Sequence, residues 1–192
     1  MTVPEARDAQ RPPPVQDAVT ATPIDHPDRA ELMSAIASVR FTRFERRGAA
    51  ADLDAAIRAG QEAVGETPPG HPDRAENLMF LGSCLGMRFE LARAAADLDA
   101  AIRAGQEAIA ATRPGDPHCS GYLAALCAAL FTRFEQTRDV VDLDAAIRAG
   151  LAALAVAPEG HPDRIIYKFL VDHAESARSD RIGPLAETDV AP

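Results

Sequence analysis

Tryptophan is absent from the 192 residues, aromatics make up 5% of them, and Lys168 is the sole lysine among 20 basic residues. Against these stand 29 acidic residues, for a net charge of -9. With no basic cluster, the chain lacks the Lys/Arg patch through which nucleic acids and anionic membrane surfaces are held, so neither is expected as a partner. No apolar stretch approaches the roughly 18 residues that span a bilayer. The opening Met1-Thr2-Val3-Pro4-Glu5-Ala6-Arg7-Asp8 carries no apolar leader segment, so a soluble, cytoplasmic protein is expected. Cysteine is scarce as well: Cys84, Cys119 and Cys127 form an odd set without a disulfide pattern, as in a reducing compartment.

What the chain does have is alanine, 40 residues of it. Alanine is the best helix former and buries little surface, which points to helices packed closely through small side chains. The alanines fall in a repeat. The string DLDAAIRAG runs from Asp52 to Gly60, Asp97 to Gly105 and Asp142 to Gly150, at an offset of 45. HPDR begins at His26, His71 and His161, with Asp116-Pro117-His118-Cys119 in the slot between, and Arg-Phe-Glu recurs at Arg43, Arg88 and Arg133. Three marker sets in one register define an array. Its units are 26–70, 71–115 and 116–160, followed by a half-unit from 161 to 179.

Each unit reads as a pair of helices. The first, helix A, opens at HPDR, where proline suits the first helical position and the aspartate favours the positive end of the helix dipole; Asp116 is a better cap than histidine. Leu78, Leu81, Leu85 and Phe89 then recur at helical spacing. Helix B carries Leu53, Ala56, Ile57, Gly60, Ala63 and Val64 on one face, with Asp54 and Arg58 as an i,i+4 charge pair on the other, repeated as Asp99/Arg103 and Asp144/Arg148. Pro-Gly segments end each unit. The resulting expectation is seven helices, at 27–46, 50–66, 72–92, 95–111, 117–136, 140–156 and 162–178. Gly60, Gly105 and Gly150, each costing about 1 kcal/mol inside a helix, imply close helix–helix approach. In the last half-unit the leucine slots become Lys168, Val171 and Glu175, a polar face suited to closing an array. The proline-rich residues 1–24 and the unpatterned 180–192 are expected to be disordered, leaving 25–179 as the repeat domain.

Leu78, Leu81-Gly82 and Leu85 in helix A, with Ala56, Ala63 and Pro68 in helix B, make the array resemble the tetratricopeptide repeat family. The resemblance implies an all-α, right-handed superhelix of helix pairs, three repeats plus a capping helix. Two features depart from it: a period of 45 against the usual 34 or so, and glycine at Gly60, Gly105 and Gly150 where the family carries an aromatic. The long period, with its RFE and DLDAAI blocks, is similar to the repeats that precede caspase-like CHAT domains.

The chemical motifs all repeat, whereas a catalytic centre would occur once. His-Pro-Asp imitates a co-chaperone signature but opens a helix in each unit, and Asp52-Leu53-Asp54 imitates a metal-binding DxD but lies on a helix beside Arg58. His118, Cys119 and Cys127 do not converge at zinc-ligand spacing. No enzyme activity, metal or cofactor is expected. The arginines of the RFE blocks are expected to pair with the aspartates that begin helix B; the alternative is a ladder of Arg43, Arg88 and Arg133 lining one surface for an acidic peptide.

The resemblance implies that function sits in a trough made by helix A. Carried residue by residue, its lining is Glu31, Ser34, Ser38, Phe41 and Thr42; Glu76, Met79, Ser83, Gly86 and Met87; and Gly121, Ala124, Ala128, Phe131 and Thr132. Phe41, Met79, Met87 and Phe131 are expected to be accessible there, offering an apolar peptide or helix a mildly apolar bed. The Lys/Asn clamp of the chaperone-binding members is missing. The reading is a non-enzymatic scaffold for a protein partner. The alternative is an accessory subunit of a separate enzyme, such as a CHAT-type protease or a biosynthetic complex. The chain's own last helix and a second copy of it are rival occupants of the trough.

Overall fold

A computed structural model describes residues 28–182, all of whose regular structure is helical. The segments 1–27 and 183–192, which include most of the residues expected to be disordered, lie outside the described residues. The chain divides between Pro68 and Pro69 into two compact units.

The first unit is one helical hairpin, α1 (Arg29–Arg47) packed against α2 (Ala50–Glu66). Met33, Ala37 and Phe44 from α1 and Leu53, Ala56, Ile57 and Ala63 from α2 are buried. The second unit holds two more hairpins and a final helix: α3 (Arg74–Ala92) with α4 (Ala95–Ala111), α5 (Cys119–Thr137) with α6 (Val140–Val156), and α7 (Arg164–Ile182). Within it α5 packs on α4, and α7 packs on α6 and, less extensively, on α5.

The helix-B spans match expectation residue for residue, because the same nine residues bury the same face each time. Leu98, Ala101, Ile102 and Ala108 in α4, and Leu143, Ala146, Ile147 and Ala153 in α6, repeat the buried set of α2 at the 45-residue offset. Helix A starts two residues later than proposed. The HPD segment forms a tight turn, in which the Arg74 N–H donates to the His71 carbonyl at 3.2 Å and the Asp73 N–H to His71 Nδ1 at 3.3 Å. Proline therefore sits ahead of the regular helix. Asp116 does not cap the helix as expected: its carboxylate accepts the His118 N–H at 2.8 Å and so closes the same kind of turn ahead of α5. At the far end α7 continues to Ile182, so residues 180–182 belong to the helix and not to the tail.

Helix A ends in a left-handed residue at one register: Gly48 (φ 67°), Arg93 (φ 53°) and Arg138 (φ 61°). Each donates its N–H to the carbonyl of the preceding phenylalanine, Phe44, Phe89 or Phe134, at 2.7 Å. Arginine carries a steric cost there that glycine does not. Arg93 and Arg138 offset it by laying their guanidinium groups over the Phe89 and Phe134 rings, at 5.2 and 5.7 Å.

The RFE arginines do what the sequence suggested. Arg88 donates to both carboxylate oxygens of Asp97, through Nε at 2.9 Å, and Arg133 does the same to Asp142 at 2.8 Å. In the first unit Arg43 and Arg40 approach Asp52 at 3.5 and 3.6 Å. These aspartates are buried at the start of helix B, and the bidentate pairing fixes the A-to-B connection.

The expected i,i+4 pairs do not form in the second unit. Asp99 is taken by Arg133 of the following repeat at 2.9 Å, and Asp144 by Arg178 at 3.3 Å, while Arg103 and Arg148 make no ion pair among the described residues. Arg133 and Arg178 are themselves 45 apart, so within this unit the ladder ties each helix B to the next helix A. Hydrogen bonding to Asp142 and Asp99 drives the Arg133 pKa further up, against the opposing effect of burial.

The repeated glycines differ in tightness. A Cβ at Gly150 would lie 2.6 Å from a Val171 methyl and 3.2 Å from Cys127 Sγ, so the α6–α7 contact requires glycine. At Gly105 the nearest atom would be Leu126 Cδ1 at 3.6 Å, an ordinary contact.

Candidate interaction groove

The helix-A faces of the second unit form a trough. A cleft of about 280 Å³ between α3, α4 and α5 is lined by Met79, Gly82, Ser83, Gly86, Ala128 and Thr132, among others. A second hollow of about 490 Å³, at the N-terminal ends of α3, α5 and α7, is lined by Glu76, Met79, Ser83, His118, Tyr122, His161 and Tyr167. Both share Met79, Ser83 and Ala125, so they are contiguous. The inner cleft is floored by the core itself, through Phe89, Leu98 and Leu126.

Of the residues expected in the trough, the structure brings Glu76, Met79, Ser83, Gly86, Gly121, Ala128 and Thr132 into these two hollows. Met79 is half-buried, and Met87, 40% exposed, lies outside both. Two expectations are corrected. Ala124 is only 7% exposed, packed with Ala153, Ala157 and Tyr167, because its small side chain lets α7 close over that position. Phe131 is half-buried against the core, its ring 4.9 Å from His173 of α7 and 5.9 Å from Phe134, so the last helix covers it. Glu31, Ser34, Ser38, Phe41 and Thr42 all lie on α1 of the first unit. There Glu31, Ser38 and Thr42 are exposed, Ser34 and Phe41 are half-buried, and the Phe41 ring meets Phe44 at 6.0 Å.

The closing face of α7 is less polar than its leucine slots suggested. Lys168 and Asp172 do pair in solvent at 2.7 Å, yet Val171 is buried, and Ile165, Ile166 and Phe169 stand 76%, 53% and 65% exposed. Ile166 and Phe169 line neither hollow, but they are exposed apolar residues at helix-A register positions that sequence reasoning did not single out. The signal was present: steps of 45 lead from Glu76 through Gly121 to Ile166, and from Met79 through Ala124 to Phe169. The Phe169 ring stacks on His173 at 5.9 Å, and His173 in turn meets Phe131, which places α7's apolar residues beside the other helix-A faces.

The aromatic end of the trough was also not anticipated. Tyr122 stacks on His118 at 6.2 Å and Tyr167 on His161 at 6.0 Å. The buried Tyr167 hydroxyl lies 3.4 Å from Ser120 Oγ and 4.0 Å from where a Cβ on Gly121 would sit, so glycine keeps the approach to it open. Burial, then the Asp116 and Glu76 carboxylates, push the Tyr122 phenol pKa up.

Nucleophilic chemistry is poorly served. Burial pushes the Cys84 thiol up to about 12, and Cys119 and Cys127 are raised by burial as well. Among the described residues no group of three His, Cys, Asp or Glu is arranged to hold a metal ion, and no helix is long and apolar enough to cross a membrane.

No family model matches the chain, and no curated protein matches it. Solved structures do. One, described as "DHF79 filament", shares 18% identity and a TM-score of 0.45, covering 88% of this chain and 95% of that one. A likeness this loose leaves any functional reading to the groove.

Proposed function

We propose that this chain is a non-enzymatic scaffold of the tetratricopeptide kind, a cytoplasmic helical array in which the repeats wind into a right-handed superhelix and the helix-A trough holds a segment of a protein partner. The observation that carries the reading is the contiguity of two hollows along the helix-A faces, with Met79 and Ser83 at their junction and exposed Ile166 and Phe169 on the final helix. Large accessible apolar side chains beside a concave bed are what a helix or extended segment needs for anchoring. The repetition of every polar motif supports a binding role over a catalytic one.

Filling the trough tests this. Ser83→Trp and Thr132→Trp place a large ring in the bed, whereas Arg103→Trp places one on an exposed position of α4. Partner captured from native lysate by the wild type should be lost with the first two variants and kept with the third. Equal recovery by all of them, or hydrolase or transferase activity in the pure protein, would contradict the proposal.

A further inference from the structure

Besides the two tyrosines, the ionisable residues lining the two hollows among the described residues are Glu76, Glu90, Asp163, His118 and His161, with no lysine or arginine among them. Several carboxylates of the second unit are paired: Asp97 and Asp142 by the RFE arginines, Asp99 by Arg133, Asp144 by Arg178, Asp172 by Lys168, and Glu90, in the inner cleft, by Arg93. Glu76 and Asp163 have no such cation among the described residues. Both stand at helix N-termini, Glu76 in the first turn of α3 and Asp163 directly ahead of α7, where the helix dipole favours the carboxylate form. Two tyrosine rings, backed by stacked histidines, wall the same hollow. Its volume of about 490 Å³ accommodates a long side chain.

From this combination we infer that the trough takes a basic segment and that the hollow between Tyr122 and Tyr167 seats one of its arginine side chains. A guanidinium there meets the half-buried Tyr122 ring, the edge of Tyr167 at the floor, and the carboxylates of Glu76 and Asp163 at the rim. Each of these interactions favours a cation, and a partly desolvated site strengthens them. An acidic segment would meet like charge with no counter-ion. The inference rests on the proposed binding role of the trough and specifies the chemistry of its occupant.

Tyr122 and Tyr167 are the only tyrosines and there is no tryptophan, so intrinsic fluorescence of the full chain reports on this hollow alone. The probe is an amphipathic helical peptide with a leucine/alanine face and two arginines, free of aromatics, compared with the same peptide carrying neutral citrulline at both positions. The arginine peptide should bind at least about tenfold more tightly and change the tyrosine emission. Glu76→Gln combined with Asp163→Asn, two surface changes checked by circular dichroism, should bring its affinity down to that of the citrulline peptide. Equal affinities for the two peptides, or tighter arginine binding without a tyrosine response, would overturn the arginine seat while leaving the trough standing. Failure of both peptides to bind would count against the trough itself.

Discussion

The helix-B and helix-A sides of the second unit share one period and behave differently. On the B side α4 and α6 carry the same nine residues and bury the same positions, Leu98 with Leu143 and Ile102 with Ile147. On the A side Met79 is half-open where Ala124 is buried, and Gly86 lines a cleft where Phe131 is covered by α7. Identical sequence gives the same buried positions, while the tightness at its end follows the neighbouring helix, as Gly105 and Gly150 show. The A face varies both in its own residues and in the next helix A along the array, so its register can be read from one repeat while its exposure depends on the neighbour.

The largest effect should come from breaking the repeated side. Leu98→Ala and Leu143→Ala each remove a buried anchor and should cost about 2–5 kcal/mol, read as a lower urea midpoint. If helix B is equivalent across repeats, the two losses agree within about 1 kcal/mol. A large disparity would show that the shared sequence hides different packing.

Next, the glycines sharpen the comparison within helix B. Gly150→Ala drives a Cβ into Val171 and should cost about 1–3 kcal/mol in the same titration. Gly105→Ala has room, and it removes a helix glycine worth about 1 kcal/mol, so it should be neutral or stabilising. A Gly150→Ala protein as stable as wild type would refute the tight α6–α7 contact.

A smaller change is expected from the ladder between the two sides. Arg133→Met leaves the buried Asp142 carboxylate without its bidentate partner; because the Arg133 side chain is itself partly exposed and water can substitute, the loss should be about 1–2 kcal/mol. Asp99→Asn, at the more exposed end of the same arginine, should cost less than about 0.5 kcal/mol. The reverse order in denaturant melts would mean that the link between repeats outweighs the link within one.

These differences also mark where sequence was readable. Period, helix pairing and the helix-B bounds were legible because DLDAAIRAG buries itself the same way each time it occurs. The RFE arginine and the aspartate nine residues on could be paired by eye, since both recur together. Asp99 was misassigned to Arg103 because helical spacing sees only its own helix, while the better-placed guanidinium, Arg133, arrives from the next repeat. Ala124 was placed in the trough by register alone, and only the Tyr167 ring from α7 shows that it is covered. The late start of helix A goes with a turn closed by the side chain at the first position of the HPDR slot, His71 or Asp116, a geometry that a capping preference does not predict.

The central claim is that Leu81 belongs to the core of the second unit and Met79, two residues earlier on α3, to its open trough. Thermal melts of Leu81→Ala and Met79→Ala side by side test it most directly. Leu81→Ala should lower the midpoint by roughly 5–15 °C, and Met79→Ala by no more than about 2 °C. An equal, large drop for both would contradict the assignment of the helix-A face as a binding surface.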